Sequence, residues 1–410
     1  MKARQAALIL LDAVLRERRM LAQVEVPAEG AEAARASRLA TTVLRNIGAV
    51  DAILRPFSQR KPQIEVQNLL RLGAVELLVN GEDAHGVTND IVGIAKSEPR
   101  SRKASGMVNA ILRKVALEGP EKWAKAPPQR LPPWLDKALR KRIGAEGIRA
   151  IEVAQAKAPP IDLTLRDTDF TLADADLLPT GSLRLHNQPQ VSALPGFTQG
   201  AFWVQDAAAA LPARLLGDVK GKRVLDICAA PGGKTMQLAA AGADVTALDI
   251  SGPRMARVAE NLTRTGLKAT LITEDAFQHT GTYDAVLLDA PCTATGTIRR
   301  HPDLPFVKSG EEVEPLTKLQ MQLLDHALSL LNPGGMLVYC TCSLLAVEGE
   351  FQITAALKRH KNLQIVPIDP TTLGGDPDWA SPEGGLRLLP SHWPDKGGMD
   401  GFYMAALRLS

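Results

Sequence analysis

The sequence has few cysteines and no long apolar run. Only four of its 410 residues are cysteine, and all lie between residues 228 and 342, too clustered for a disulfide framework. No apolar stretch approaches the ~20 residues of a membrane helix. Ala6–Leu15 contains Asp12 and lacks a small-residue cleavage site, so it predicts a first helix, not a signal peptide. These features predict a cytoplasmic protein that does not span a membrane.

Metal-binding and phosphate-binding motifs are also missing. Cys340 and Cys342 are spaced C-x-C, and no histidine pair with ligand spacing accompanies them, so no metal site is expected. The dinucleotide fingerprint G-x-G-x-x-G is absent. A Walker A loop would need glycine at position 228, where the chain has cysteine. A P-loop nucleotide hydrolase is therefore a remote alternative.

Charge is unevenly distributed along the chain. Residues 1–150 carry 26 Lys and Arg against 16 Asp and Glu, whereas the whole chain has a net charge of +3. A basic region on a near-neutral protein is typical of a polyanion-binding module. Solvated helix faces would give the same balance, so charge alone leaves both interpretations open.

Periodicity divides the chain into three predicted domains. Residues 1–130 repeat apolar side chains every three to four positions, which predicts an all-helical domain. Prolines within 118–133 predict its end, because proline resists helix continuation. Residues 131–200 predict a small α+β connector that begins with a short helical pair. Residues 201–410 alternate strands and helices with short links, which predicts a Rossmann-like α/β domain with a parallel, doubly wound sheet.

The last domain gives specific element predictions. Its strands are expected at Arg223–Ile227, Asp244–Asp249, Ala269–Ile272, Asp284–Leu288 and Met336–Thr341. Its helices are expected at Lys234–Ala241, Pro253–Arg264, Lys318–Leu331 and Leu345–Arg359. Two further strand-like runs predict a final hairpin at Leu386–Leu389 and Phe402–Leu407.

The four cysteines mark the carboxyl ends of predicted strands, the edge at which open α/β sheets bind ligands. They lie in three segments, Asp226–Thr235, Asp289–Gly296 and Tyr339–Ser343. Buried cysteine usually acts as a small hydrophobe, and Cys228 and Cys340 are interpreted in this way. Polar or turn-forming neighbours flank Cys292 and Cys342, which favours exposed thiols at these two positions.

A glycine-rich turn joins a predicted strand to a helix at Asp226–Thr235. Its small residues let a ligand approach the backbone at a helix N-terminus. Asp249 ends the next strand, 23 residues after Asp226, which suits a carboxylate that accepts hydrogen bonds from ribose hydroxyls. Asp275 follows the third strand and can face an adenine edge. S-adenosylmethionine has a ribose and an adenine but no phosphates. Binding of this cofactor therefore explains the turn better than a role in packing alone.

Two thiols beside such a cofactor indicate a methylation that needs covalent catalysis. The C5 carbon of a pyrimidine is a poor nucleophile until a thiolate adds at C6 and turns the ring into an enamine. Asp289 can assist at ring N3, and a second acid or base must serve release of the product. The target base must also leave its stack. One of Cys292 and Cys342 would attack and the other would assist, and spacing does not decide between them.

These motifs resemble the Sun-type RNA cytosine-C5 methyltransferases, a likeness that covers nearly the whole chain. The segments that carry it in the last domain are Asp226–Thr235, Asp289–Cys292, Thr297–Asp303 and Thr341–Ser343, with Gln205-Asp206 after Pro195–Phe197. The helical region resembles a NusB-type RNA-binding domain through Asn89–Val92 and Gly106–Arg113. The combination is similar to the bacterial enzymes of this family that act on 16S rRNA.

The resemblance implies roles for individual residues. It implies that Cys342 is the nucleophile and that Cys292 assists product release, whereas DNA cytosine-C5 enzymes attack with their Pro-Cys thiol. It also implies that the cofactor S-adenosylmethionine is bound by Cys228, Ala229, Ala230, Pro231, Gly232, Gly233, Lys234, Asp249, Asp275 and Asp289. Cys340 departs from the family pattern, in which alanine is expected.

The leading hypothesis is therefore an enzyme that methylates cytosine C5 in 16S rRNA, either naked or in a small-subunit assembly intermediate. The same chemistry on tRNA or another RNA is the nearest alternative. A non-catalytic RNA-binding or ribosome assembly factor is the alternative of another class. The presence of Cys342, Cys292 and Asp289 argues against that alternative, since a scaffold has no physical need for two thiols at strand ends. No oligomer is implied.

Overall fold

The structure, a computed structural model, describes residues 1–58 and 60–410. The chain forms two compact units, of which the first comprises Met1–Ala158 with Ile298–Ser309 and the second comprises Pro159–Thr297 with Gly310–Ser410. The predicted domain limits at residues 130 and 200 stay predictions. Among the described residues, no helix combines the length and apolarity needed to cross a bilayer.

The first unit is helical, as the periodicity predicts. Its helices are α1 (Ala3–Leu15), α2 (Gly30–Leu54), α3 (Ile64–Leu78), α4 (Ala84–Ser97), α5 (Ser105–Ala124), α6 (Pro133–Gln155) and the short α10 (Leu304–Val307). Apolar side chains of α1 to α5 at helical spacing pack into one core. Gly144, with a φ of 67°, interrupts α6 and divides it into the helical pair that the sequence predicts.

The prediction that Pro120 resists helix continuation is wrong. Helix α5 continues through Pro120 to Ala124, because its packing against the unit continues past the proline. Lys122 Nζ lies 4.3 Å from the centroid of the Phe57 ring, and Trp123 packs against the apolar core. Proline removes one backbone hydrogen bond, and these contacts past it favour continuation of the helix.

The second unit contains a small antiparallel sheet. Its strands are β1 (Asp162–Leu165), β2 (Ala175–Leu177), β3 (Leu183–Leu185) and β4 (Phe202–Val204), in the order β2-β3-β1-β4. Leu163, Leu183 and Phe202 form its apolar core. A buried ion pair joins two neighbouring strands, with Arg184 Nε 2.7 Å from Asp162 Oδ1.

The larger sheet of the second unit has the order β10-β12-β9-β8-β5-β6-β7, and β11 pairs with β12. Its strands are β5 (Arg223–Ile227), β6 (Asp244–Asp249), β7 (Thr270–Thr273), β8 (Tyr283–Asp289), β9 (Leu331–Thr341), β10 (Leu363–Val366), β11 (Leu386–Leu388) and β12 (Phe402–Leu409). Its helices are α7 (Leu211–Arg214), α8 (Gly233–Ala240), α9 (Gly252–Thr265), α11 (Val313–Ser329) and α12 (Glu350–Arg359).

The sheet is parallel at its centre and antiparallel at one edge. Strands β9, β8, β5, β6 and β7 pair in parallel, which confirms the predicted Rossmann-like α/β class. Strand β12 runs antiparallel to β9, β10 and β11, and its pairing with β11 confirms the predicted final hairpin. Parallel strands need a long crossover, usually a helix. Between β10 and β12 the chain has only short turns and β11, so antiparallel pairing results.

Alternate residues of the central strands face two apolar layers. Leu225 of β5 packs in one cluster with Leu324 of α11 and Ile353 of α12. Val224 of the same strand packs in another cluster with Leu211 of α7 and Leu238 of α8. Burial of both faces explains the continuous apolar runs of these strands. The residues that follow each of these strands therefore lie outside the two apolar layers that cover the sheet.

The predicted helix Leu345–Arg359 begins later than expected. Residues Ala346–Glu348 form a short 3₁₀ turn, and Gly349 has non-helical angles (φ −128°, ψ −102°), so α12 starts at Glu350. The Glu348 carbonyl accepts hydrogen bonds from Tyr339 Oη at 2.8 Å and Thr341 Oγ1 at 3.2 Å. These side chains of β9 hold the turn, which leaves the carbonyl outside the helix.

We predict that Leu112→Ala lowers the free energy of unfolding by about 2–5 kcal/mol, because it leaves a cavity in the helical core. Leu112 is 0% exposed. Leu117 lies on the same helix and is 84% exposed, so Leu117→Ala serves as the matched control, with a change within about 0.5 kcal/mol. Urea unfolding followed by helical circular dichroism measures both, and equal losses would contradict the packing described for α5.

Candidate active site

Three adjacent parallel strands bring the cysteine segments together. In the pairing, Ile227 of β5 lies opposite Leu288 of β8, and Asp289 of β8 lies opposite Cys340 of β9. The segments that follow β5, β8 and β9 therefore share one edge of the sheet, as the sequence predicts. Cys292 Sγ and Cys342 Sγ lie 3.5 Å apart, and both thiols are partly exposed.

The glycine-rich turn wraps closely around the start of α8. Cys228 and Gly232 have positive φ angles of 62° and 97°. A Cβ at Gly232 would lie 3.0 Å from Val258 Cγ1, so the turn needs glycine there for both conformation and space. The Ala229 amide donates to the Leu248 carbonyl at 3.1 Å, which fixes the turn against β6.

Asp249 and Asp275 occupy the predicted strand ends. Asp249 is buried, and its carboxylate accepts hydrogen bonds from the amides of Ala230 at 3.2 Å and Ser251 at 2.9 Å. Arg254 Nη1 lies 3.5 Å from the same carboxylate. Asp275 accepts from the Phe277 amide at 3.1 Å and caps a short turn. Asp249 therefore lies against the glycine-rich turn.

Two exposed apolar side chains near these acids were missed by the sequence reasoning. Ile250 follows Asp249 and is 72% exposed, and Phe277 lies two residues after Asp275 and is 42% exposed. Their signal in the sequence is an apolar residue just past an acidic strand end. Exposed apolar surfaces of this kind suit a flat aromatic ring.

Asp289 is paired with Lys234 of the turn. Lys234 Nζ lies 2.7 Å from Asp289 Oδ2, and the lysine side chain is almost fully buried. Burial alone would lower the pKa of Lys234, but the carboxylate of Asp289 raises it above its ordinary value. Lys234 is therefore positively charged at neutral pH and neutralises the carboxylate of Asp289.

Asp226 and Cys340 lie behind this pair in the sheet. Burial raises the pKa of Asp226 to about 7, although its carboxylate accepts a hydrogen bond from Thr235 Oγ1 at 2.6 Å. Cys340 Sγ lies 3.5 Å from Asp289 Oδ1, and burial raises the pKa of the Cys340 thiol well above its ordinary range. Cys340 is fully buried, in agreement with the structural role predicted for this thiol.

The remaining thiols differ in their surroundings. Burial, followed by the charges of Asp289 and Asp249, raises the pKa of Cys228. The hydrogen bond with Cys342, followed by burial and the charge of Glu348, raises the pKa of Cys292 well above the usual range of a thiol. Cys228 and Cys292 are therefore held as thiols at neutral pH.

A buried carboxylate that the sequence reasoning missed links the two thiol segments. Glu348 is 0% exposed and accepts hydrogen bonds from the Thr293 amide at 2.9 Å, the Thr293 hydroxyl and the Ser343 hydroxyl. Gln320 Nε2 donates to the same carboxylate at 3.0 Å and to the Pro291 carbonyl at 2.8 Å. Glu348 was missed because it lies within a predicted helix, where an acidic residue is usually part of a solvent-exposed face.

Other motif residues have structural partners. In the second unit, Gln205 Oε1 accepts from Trp203 Nε1 at 2.8 Å, and Asp206 Oδ1 accepts from the amides of Ala208 and Asp400 at 2.9 and 3.1 Å. These contacts join β4 to the chain near β12. Within the described residues, no group of three or more His, Cys, Asp or Glu side chains is placed to hold a metal ion.

The end of the Thr297–Asp303 motif belongs to the first unit. There Asp303 Oδ2 accepts from the Leu21 amide at 2.7 Å, and Arg45 Nη2 donates to the Arg299 carbonyl at 2.6 Å. The sequence motif therefore includes residues that serve the helical unit. Of the residues in Asn89–Val92, Asn89 is exposed and its side chain contacts His85 Nε2 at 2.9 Å.

Known families match both parts of the chain. Residues 213–408 match the model of the 16S rRNA methyltransferase RsmB/F, and residues 1–117 match that of the NusB family. The small subunit ribosomal RNA methyltransferase B of Pseudomonas putida is 37% identical over 385 residues, covering 88% of this chain and 85% of that protein. The protein of the same name from Salmonella agona is 35% identical over 392 residues, covering 89% and 88%.

A solved structure agrees with these sequence matches. The methyltransferase homolog protein from Pyrococcus horikoshii superimposes with a TM-score of 0.57 at 27% identity, over 68% of this chain and 95% of that one. The predicted enzyme class, an S-adenosylmethionine-dependent RNA cytosine-C5 methyltransferase with a NusB-like helical region, is confirmed. The chain belongs to the 16S rRNA methyltransferase RsmB/F family.

Proposed function

We propose that this protein methylates C5 of a cytosine in 16S rRNA, with Cys342 as the nucleophile and Cys292 as the group that assists product release. The observation that carries the proposal is the 3.5 Å approach of the two thiols at adjacent strand ends, beside Asp289 and the glycine-rich turn. The names of the relatives support rRNA as the substrate. We propose the cytoplasm as the place of action.

The residues around the turn fit S-adenosylmethionine. The carboxylates of Asp249 and Asp289 lie beside the turn, where Asp249 accepts from the Ala230 amide and Asp289 pairs with Lys234. Carboxylates at this turn disfavour phosphate groups and can accept hydrogen bonds from ribose hydroxyls. When bound, the cofactor supplies an electrophilic methyl group for C5 of the ring.

The proposed binding residues divide by the part of the cofactor that they would meet. Asp249 would accept from the ribose hydroxyls, and Asp275 would face the adenine edge, with Ile250 and Phe277 against the ring faces. The remaining wall would come from the turn and its neighbour, namely Cys228, Ala229, Ala230, Pro231, Gly232, Gly233, Lys234 and Asp289.

Cys342 begins the reaction in this proposal. Its thiolate forms a bond to C6 of the cytosine, and the ring electrons move toward C5 and N3. Asp289 accepts a hydrogen bond from the Lys234 ammonium, so it can take a proton from Lys234 and pass it to N3, which stabilises the enamine. After C5 gains its methyl group, the C5 proton passes to a general base and the electrons of the C5–H bond re-form the C5–C6 double bond. The C6–S bond breaks with its electron pair on Cys342 and N3 returns its proton to Asp289, which restores the aromatic ring and the thiolate.

Cys292 suits the second role because it is held as a thiol. Its pKa is raised by the hydrogen bond with Cys342, by burial and by Glu348, so it is a weak nucleophile at neutral pH. A thiol next to Cys342 can exchange a proton with the leaving sulfur or the ring. This property of Cys292 agrees with the assignment that the family resemblance implies.

Bisulfite sequencing of 16S rRNA from cells that lack this protein tests the substrate. We expect loss of one methylated cytosine, restored by the intact gene but not by a Cys342→Ala copy. A methylation lost from tRNA instead, with rRNA unchanged, would replace the proposed substrate and leave the chemistry in place.

Cys342→Ala should lower kcat for methyl transfer by more than about 10³-fold, because no other partly exposed thiol lies at the end of β9 among the described residues. Cofactor affinity should stay within about threefold, since the thiol is not part of the proposed cofactor wall. Radiolabelled methyl transfer and equilibrium binding measure the two quantities. Undiminished turnover would assign the nucleophile to another residue.

Cys292→Ala should trap the enzyme on its RNA, because the covalent bond forms but its release is slowed. We expect a slow-moving protein–RNA band on a denaturing gel in the presence of cofactor. The double variant Cys292→Ala with Cys342→Ala is the control and should give no such band. If Cys292→Ala gives no such band with the RNA that the intact enzyme methylates, Cys292 does not assist product release.

A further inference from the structure

We infer that Glu348 is a positioning residue that holds Cys292 and Cys342 in register for catalysis. Its catalytic meaning rests on the proposed function, whereas the geometry stands independently. Thr293 follows Cys292, and Ser343 follows Cys342, so one carboxylate binds the immediate neighbours of both thiols.

The carboxylate ties together more than the two thiol segments. Gln320 of α11 donates to Glu348 Oε1 and to the Pro291 carbonyl, which precedes Cys292 in the chain. The Glu348 carbonyl accepts from Tyr339 and Thr341 at the end of β9. Both sides of each thiol segment are thereby attached to Glu348, directly or, at Pro291, through Gln320.

Hydroxyl contacts between the segments complete the arrangement. Thr293 Oγ1 and Thr295 Oγ1 each lie 3.3 Å from Ser343 Oγ. Thr295 Oγ1 accepts from the Leu344 amide at 2.9 Å, and the Gly296 amide donates to the Cys342 carbonyl at 2.9 Å. The carboxylate thus anchors a network that crosses between two strands.

Glu348 cannot itself serve as the base that removes the C5 proton in this geometry. It is 0% exposed, and each of its carboxylate oxygens accepts two hydrogen bonds. No exposed lone pair remains to meet a substrate atom. Glu348 must therefore act indirectly, through Cys292 and Cys342, which are the chain neighbours of its partners Thr293 and Ser343.

That influence includes charge. The titratable groups that act on Cys292 are Cys342 from the end of β9, Tyr339 within β9 and Glu348 from the turn before α12. Arg387 faces the same network, since it donates to the Ser343 carbonyl and pairs with Glu350. The negative charge of Glu348 raises the pKa of Cys292, which favours its protonated form.

Two substitutions separate the effect of the negative charge of Glu348 from the effect of its side-chain length. Glu348→Gln keeps the side-chain length and removes the charge, and rotating hydroxyls of Thr293 and Ser343 can accept from the new amide. Glu348→Asp keeps the charge and shortens the side chain. We expect kcat to fall about tenfold or more in each, with KM for RNA and cofactor within about threefold, because the thiols and not the binding surfaces are displaced.

The distinguishing measurement is the rate of Cys292 alkylation by iodoacetamide against pH, resolved by peptide mass spectrometry. Loss of the negative charge lowers the pKa of Cys292, so its profile in Glu348→Gln should move to lower pH. A displacement of one unit makes alkylation about tenfold faster below the midpoint. Glu348→Asp should keep the original profile. This assay needs no RNA, so it decides the inference even where the proposed substrate fails.

Asp162→Asn is the matched control, since Asp162 is also a buried carboxylate of the second unit and is paired with Arg184 in the small sheet. It should lower thermal stability without moving the alkylation profile or kcat. Thr293→Val removes one donor to Glu348 and should lower kcat in the same direction if Glu348→Gln does not fold. An unchanged profile in Glu348→Gln, an equal shift in Asp162→Asn, or unchanged kcat in Thr293→Val would overturn the inference.

Discussion

Parallel pairing of β5, β8 and β9 creates the site, because strands that end at one edge deliver their following segments to one place. Neighbouring strands lie roughly 4.8 Å apart. Thiols that follow adjacent strands can therefore meet with little help from the segments themselves, and Cys292 and Cys342 do so at 3.5 Å. The two-sided apolar packing of the sheet fixes the strand ends, so the positions of the thiols depend on the whole core.

Three carboxylates near this edge are stabilised in three different ways. Asp289 is compensated by the ammonium of Lys234. Asp226 has its pKa raised to about 7 by burial, so it avoids part of the cost by binding a proton. Glu348 accepts hydrogen bonds from four neutral donors. A network of neutral donors fixes direction as well as charge, which suits a residue whose partners lie on two separate segments.

The strand ends and their thiols could be predicted from sequence, because buried parallel strands are continuous apolar runs and a cysteine just past such a run stands out. The choice between Cys292 and Cys342 required the family resemblance, since both follow a strand in the same way. Glu348 could not be found, because a single acidic residue in a helical pattern has no distinguishing signal. The continuation of α5 through Pro120 could not be predicted either, because contacts distant in sequence decide where that helix ends.

Proximity of the two partly exposed thiols, Cys292 and Cys342, also gives them different roles. Two thiolates 3.5 Å apart would repel each other, so loss of the first proton raises the pKa for loss of the second. Once one of the two thiols has lost its proton, the other therefore stays protonated, and the pair holds one thiolate and one thiol. A reaction that needs a nucleophile at C6 and a nearby proton carrier requires this mixed state. Cys340 is buried and therefore does not compete with Cys292 and Cys342 as a reactive thiol. Its position inside β9 does not disturb the pair.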